Sequence, residues 1–226
     1  MTSTNASERH LKAHERFPRF VYRAFTQKSY AEDFALRGRF RLGNLRLYPG
    51  IEAEERRDAS EGQGHFEHFG MSASVDFVAE SDGTSVSQTP GYVHMHTELL
   101  NPAFILSCSL PGVELNYLRS HFGQWLVKIA EPKQLAQDLS RYLETLPDRF
   151  TGVEGCLVNC NKGCRVGEHL SNIASTRLAY SQKPVAFSRE KEFRFVVIAM
   201  GTPSLRFNAK YLHVDFGGAL NYVSVI

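Results

Sequence analysis

The chain has 226 residues, 42% of them hydrophobic and 22% charged, with 26 Lys and Arg against 24 Asp and Glu. That size and composition allow one globular domain with a sizeable core. The near-balanced charge excludes an acidic tail and a protein that coats nucleic acid by bulk charge.

No apolar run reaches the roughly 18 residues of a membrane-spanning helix. Residues 1–16 are polar, lack the apolar core of a secretory signal and read as a loose tail. The chain ends without a lipidation motif, and four cysteines are too few for a disulfide-stapled scaffold. A cytoplasmic protein that contacts no membrane is expected, with residues 17–226 as a single domain.

Phe20 to Phe25 (FVYRAF) is rich in β-formers and predicts a first strand. Ser29 to Leu36 predicts a short helix with a Ser cap, and Gly38 ends it. Arg39-Phe40-Arg41-Leu42 and Leu45-Arg46-Leu47-Tyr48 alternate polar and apolar residues about Gly43-Asn44, which predicts a β-hairpin. Ile51 to Asp58 is charged and has helical propensity, and Gly62-Gln63-Gly64 breaks it. Residues 79–90 read as a polar loop, while 92–97 and 103–110 have strand character. Leu135, Leu139, Tyr142, Leu143 and Leu146 fall on one face of a helix over 133–146, with Pro132 at its start and Pro147 beyond its end. Residues 155–166, 191–199 and 210–216 predict further strands. Strands outnumber helices and do not alternate with them regularly, so the expected fold class is α+β.

Three of these strands carry polar groups in unusual places. On the late strand, Lys191, Phe193, Phe195 and Val197 share one face and Glu190, Glu192 and Arg194 the other. Carboxylates two residues apart on a strand lie roughly 7 Å apart. They repel unless cations, a substrate or solvent offset them. That face is either solvated, with Arg194 paired to Glu192, or part of a cleft in which the carboxylates act on a ligand. On the first strand Arg23 shares a face with Val21 and Phe25, which asks for a salt-bridge partner or a phosphate or ribose to grip. On the middle strand Leu106, Cys108 and Leu110 form an apolar face, and Ser107 and Ser109 point the other way with Ile105. Those hydroxyls either hold a ligand or fill a half-exposed face.

An Arg on the first strand, Ser-x-Ser on a middle strand and Glu-x-Glu on a late strand, in that order, is similar to the Arg-Ser-Glu pattern of ADP-ribosyltransferases. The VYRAF strand, the RGRFRLGNLRLY stretch, FILSCSL and KPVAFSREKEFRFVVI also resemble a broad bacterial family of unknown function thought to share that fold. The resemblance implies two small packed β-sheets forming a cleft, with helices outside. NAD is the implied substrate, with no metal. Glu192 would bind the ribose 2′-hydroxyl and stabilise positive charge, and Glu190 would activate the acceptor. Arg23 would hold the pyrophosphate or ribose, Ser107 and Ser109 would brace the pocket, and Tyr22 or Tyr48 would stack on nicotinamide. The implied partners are a protein or nucleic-acid acceptor and an antitoxin or immunity protein, as for a bacterial toxin or phage-defence effector. The alternatives are a catalytically silent nucleotide- or partner-binding module of the same fold, and an NAD glycohydrolase.

Other constellations suggest other chemistry. Arg37, Arg39, Arg41 and Arg46, interleaved with Phe40 and Tyr48, form a basic cluster that suits nucleic acid or is a solvated face. Cys156, Cys160 and Cys164 recur every four residues and would need a fourth ligand such as His169 to hold zinc. His65 and His68, and His94 and His96, are spaced as weak metal-ligand pairs. Cys108 with His121 is a weak nucleophile pair. Asp58 and Glu61 read as turn residues or substrate contacts.

Overall fold

The computed structural model describes residues 17–45, 47, 63–69, 85–89, 92–98, 101–160, 179–200 and 209–226. It is a mixed α+β structure built on a mostly antiparallel open sheet, with few helices. The first strand, β1, spans Val21–Phe25 and is followed by helix α1, Lys28–Arg37. Gly38 ends that helix in the left-handed conformation at φ 64°, where the absent Cβ removes the usual penalty. The helix starts one residue before Ser29, and no side chain caps it.

Strand β2 runs Arg39–Asn44 without interruption. A turn was expected at Gly43-Asn44. Instead both residues stay extended because the strand has partners elsewhere: Gly43 pairs with Tyr211 and Ile105, and Asn44 with Phe104. Strands β3 (Gln63–Phe69), β4 (Ser85–Thr89) and β5 (Tyr92–Glu98) follow. Thus β4 occupies part of the stretch expected to be a loop. The predicted helix over 51–58, with Asp58 and Glu61, lies outside the described residues.

Next come β6 (Ala103–Ser109), α2 (Leu115–Phe122), β7 (Trp125–Ile129) and α3 (Pro132–Glu144). The last matches the predicted apolar helix, with Pro132 in its first turn. Then come β8 (Arg149–Phe150) and β9 (Glu154–Leu157), and a 3-10 turn over Val185–Glu190 leads into β10 (Glu192–Met200). Strands β11 (Tyr211–Asp215) and β12 (Val223–Val225) complete the chain.

Strands β3, β5 and β4 form a three-stranded sheet, and the other nine described strands form the larger one. The order β11-β2-β6-β1-β7-β12 runs across the larger sheet, with β10 on the remaining edge of β6. Helices α1 and α3 cover one face. Ala31, Phe34, Leu135 and Leu139 pack there with Leu106, Phe193, Phe195 and Val197 in one buried cluster. Burying each of the Phe, Leu and Val side chains among them contributes about 1.5–3 kcal/mol. Ile105 and Val196 point to the opposite face and are buried there with Ala179 and Tyr180. Strands β6 and β10 are therefore covered on both sides.

Candidate functional site

The site arises where the sheet forks. Strand β10 pairs with β6 from Glu192 opposite Ser109 to Ile198 opposite Ala103. The other edge of β6 is shared between two strands. Strand β2 meets it at Phe104 and Ile105, and β1 meets it at Ser109 alone, opposite Tyr22. Leu106, Ser107 and Cys108 face the gap between them.

The ladder fixes which backbone groups point into that gap. The Leu110 amide donates to the Lys191 carbonyl at 2.8 Å, so those two residues form a hydrogen-bonded pair. Antiparallel pairs alternate. Glu192 with Ser109, and Arg194 with Ser107, are therefore non-hydrogen-bonded pairs, and the Ser107 carbonyl turns away from β10 into the gap. Arg23 Nη1 donates to that carbonyl. The Arg23 guanidinium also lies 5.4 Å from the centre of the Phe25 ring, on the face the sequence predicts. Its Nε is buried and without a hydrogen-bond partner among the described residues.

A cleft of about 190 Å³ opens at the fork. Six of the residues that the resemblance assigns to the NAD site line it: Tyr22, Arg23, Ser107, Ser109, Glu190 and Glu192. Phe122, Lys183 and Cys108 line it too. Tyr48, the other proposed stacking residue, lies outside the described residues.

One feature differs from the sequence expectation, and one of two readings left open falls away. Glu190 is not on the late strand. It ends the 3-10 turn, and Lys191 takes the left-handed conformation at φ 45° before β10 begins at Glu192. A non-glycine residue rarely adopts that conformation; here the Lys191 ammonium donates to the Gly112 carbonyl at 2.7 Å. Nor is the Glu192/Arg194 face solvated. Arg194 is 0% exposed and Glu192 4%, because the segment around Tyr180 to Lys183 covers them.

These charges form one network. Arg194 Nε donates to Glu192 Oε1 at 2.7 Å and its Nη2 to Oε2 at 3.3 Å, while Nη1 donates to the Tyr180 carbonyl at 3.0 Å. Lys183 Nζ lies 2.9 Å from Glu192 Oε2 and 3.1 Å from Glu190 Oε2. Burial alone would raise the Glu192 pKa. Arg194 and then Lys183 outweigh it, helped by hydrogen bonds from Arg194 and the Ser107 hydroxyl, and hold the carboxyl down to about 2. Burial pushes the Cys108 thiol up to about 12, with Arg23 offsetting only part of the rise. The thiol is therefore protonated at neutral pH and not a nucleophile. The His121 ring engages Ser120 and Tyr117 on its own helix.

Lys183 was missed from sequence. It sits between a short helical turn and Pro184, in a stretch with no strand or helix period. The one available signal was an uncovered pair of carboxylates that needed a cation.

The basic cluster is largely committed to partners within the fold. Arg37 pairs with Asp33 at 2.7 Å and Arg39 with Asp215 at 2.8 Å. The Arg41 guanidinium lies 4.1 Å from the Tyr211 ring centre. Arg46 lies outside the described residues. Of the cysteine triplet, Cys156 is buried in β9 and Cys160 is a free, partly exposed thiol; Cys164 and His169 lie outside the described residues. In the small sheet His65 is in register with His96 and His68 with Val93. No group of three or more metal-ligating side chains occurs among the described residues. None of the described helices is long and apolar enough to cross a membrane.

Comparison with protein-family models, with curated proteins and with solved structures finds no significant match to this chain.

Proposed function

We propose that this chain is an ADP-ribosyltransferase-like protein whose forked cleft takes the nicotinamide–ribose end of NAD and transfers ADP-ribose to a protein or nucleic-acid acceptor. One observation carries this: Arg23, Ser107 and Glu192, from three strands far apart in sequence, line the same cleft. The cleft is smaller than the roughly 300–1,000 Å³ of sites that enclose a drug-sized ligand, so it suits one end of the dinucleotide.

Each residue has a role its surroundings favour. Glu192 is ionised throughout the physiological range, which suits a group that faces developing positive charge and not one that donates a proton. When the C1′–nitrogen bond breaks, its electron pair leaves with nicotinamide and the ribose carbon becomes cationic. A lone pair of the acceptor closes the new bond, and Glu190 takes the acceptor's proton. Arg23 lines the same opening, and a planar guanidinium is a shape that fits phosphate or ribose oxygens. Tyr22 offers a ring wall.

A second reading, a catalytically silent nucleotide- or partner-binding module, is favoured by the engagement of both Glu192 oxygens by Arg194 and Lys183. One experiment separates the two. Purified protein is incubated with labelled NAD, alone and with cell extract, and nicotinamide release and label transfer are measured. Label transfer that Glu192→Gln abolishes supports the transferase, and release without transfer indicates a glycohydrolase. Binding without turnover supports the silent module. Turnover that survives Glu192→Gln overturns the assignment of the site.

A further inference from the structure

Lys183 is the least expected group in the cleft. A lysine is almost never fully buried unless it is paired, and its side chain is 7% exposed. Its backbone is fixed independently of its charge. The Lys183 amide donates to the Asn159 carbonyl at 3.0 Å, the Asn159 amide donates to the Ser181 carbonyl at 2.7 Å, and Asn159 and Gln182 form a parallel bridge. From that anchor the ammonium reaches two carboxylates at once. One closes the 3-10 turn and the other opens β10, so without a cation between them they would repel in a poorly solvated place.

We propose that Lys183 is a positioning residue: its ammonium clamps the Glu190 and Glu192 carboxylates toward one point of the cleft wall and so fixes how they meet the ligand. This rests on the nucleotide reading only for the identity of that ligand. The clamp itself follows from the three side chains.

Among the described residues, the other groups around the clamp act in known directions. On β10, Arg194 grips the Glu192 oxygens directly. Arg23 of β1 lines the same cleft. Tyr117 of α2 feels the charges of both Glu190 and Lys183, and Arg189 stacks on its ring at 4.7 Å. Cys160, after β9, feels Glu192 and Lys183. Cys108 of β6 is a neutral thiol. Arg194 serves Glu192, and among the described residues Lys183 is the cation in contact with both glutamates. Its loss should therefore leave Glu192 paired yet exposed to the charge of Glu190.

The test is a pH titration of the full chain with ¹³C-labelled glutamate carboxylates, in the parent and in Lys183→Met and Lys183→Arg, alongside NAD binding by calorimetry across the same pH range. The Glu192 midpoint should rise by about one to three units in Lys183→Met and return toward the parent value in Lys183→Arg. Glu192 stays ionised at pH 7 in either protein, so a loss of NAD binding there reads position alone: if the parent binds NAD, Lys183→Met should weaken it about tenfold or more at pH 7, with Lys183→Arg recovering most of it. A Glu192 midpoint unmoved by Lys183→Met overturns the clamp. Failure of the parent to bind NAD, with the midpoint shift intact, removes the nucleotide reading and leaves the clamp standing. Should Lys183→Met not fold, the parent alone decides. A clamped ammonium gives a slowly exchanging ¹⁵Nζ signal at pH 7, and a signal lost to fast exchange overturns the proposal.

Discussion

Arg194 and Glu192, two residues apart on β10, form a forked ion pair with contacts of 2.7 and 3.3 Å, entirely within the protein. Such a pair is weak evidence of net stability, yet breaking it on one side is expensive because the remaining charge stays buried. Arg194→Met should therefore destabilise the protein by about 3–5 kcal/mol, read as a lower midpoint in urea. The Nη1 bond to the Tyr180 carbonyl is lost with it, which adds to the effect. Adding Glu192→Gln to Arg194→Met should recover part of the loss. Independent, additive effects of the two substitutions would contradict the coupling.

The same pair makes stability depend on acid. The Glu192 carboxyl titrates at about 2 in the folded chain against an ordinary value of 4.5. Its folded pKa is depressed, so its contribution is fully present above about pH 4.5 and fades as pH falls from there toward 2. Urea midpoints measured between pH 7 and 2 should drop across that window. Glu192→Gln should flatten the drop, and an equally steep fall in that variant would mean other carboxylates drive acid unfolding.

The late strand shows what alternation can and cannot reveal. Phe193, Phe195 and Val197 were legible as a core face, because period-two patterning needs only neighbours in sequence, and all three are buried there. Whether Glu192 and Arg194 met water depended on what covers the other face. That cover comes from residues 179–183, which carry no period. The left-handed Lys191 was hidden for a related reason: nothing local demands it, and the Gly112 carbonyl that holds its side chain lies 79 positions away. At Gly43-Asn44 the failure ran the other way. A strong local turn signal lost to pairing with β11 and β6. The three residues Arg23, Ser107 and Glu192 could be marked on strands from sequence, but the fork that gathers them is a property of the ladder, set by where β1 and β2 each meet β6.

Gly123 joins α2 to β7 beside β1, and its φ of 134° lies where side chains are strained. A Cβ there would sit 2.3 Å from both the carbonyl carbon and oxygen of Phe25. That neighbour is backbone and cannot swing aside. Gly123→Ala should cost roughly 2 kcal/mol or more, and it should shift Phe122 at the cleft wall. A thermal melt and a tyrosine- and phenylalanine-edited NMR spectrum would record both effects. A melting point unchanged from the parent would show that the close approach is relieved cheaply.

Arg23 separates a structural from a ligand-holding role. Its Nη1 satisfies the Ser107 carbonyl at the fork, a bond that a lysine ammonium at the same position can also make. What lysine lacks is the planar guanidinium, whose second terminal nitrogen adds a donor beside Nη1. If Arg23 serves the fold alone, Arg23→Lys and the parent should behave alike in urea and toward NAD. If it grips a phosphate or ribose, Arg23→Lys should keep stability within about 1 kcal/mol while weakening NAD binding about tenfold or more. Arg23→Ala should lose both, because the Ser107 carbonyl is then left in the gap without its donor. Calorimetric titration of NAD into the three proteins, with urea unfolding in parallel, gives the two readouts. Unchanged affinity in Arg23→Lys, with both stability and affinity lost in Arg23→Ala, would assign Arg23 to the fork itself.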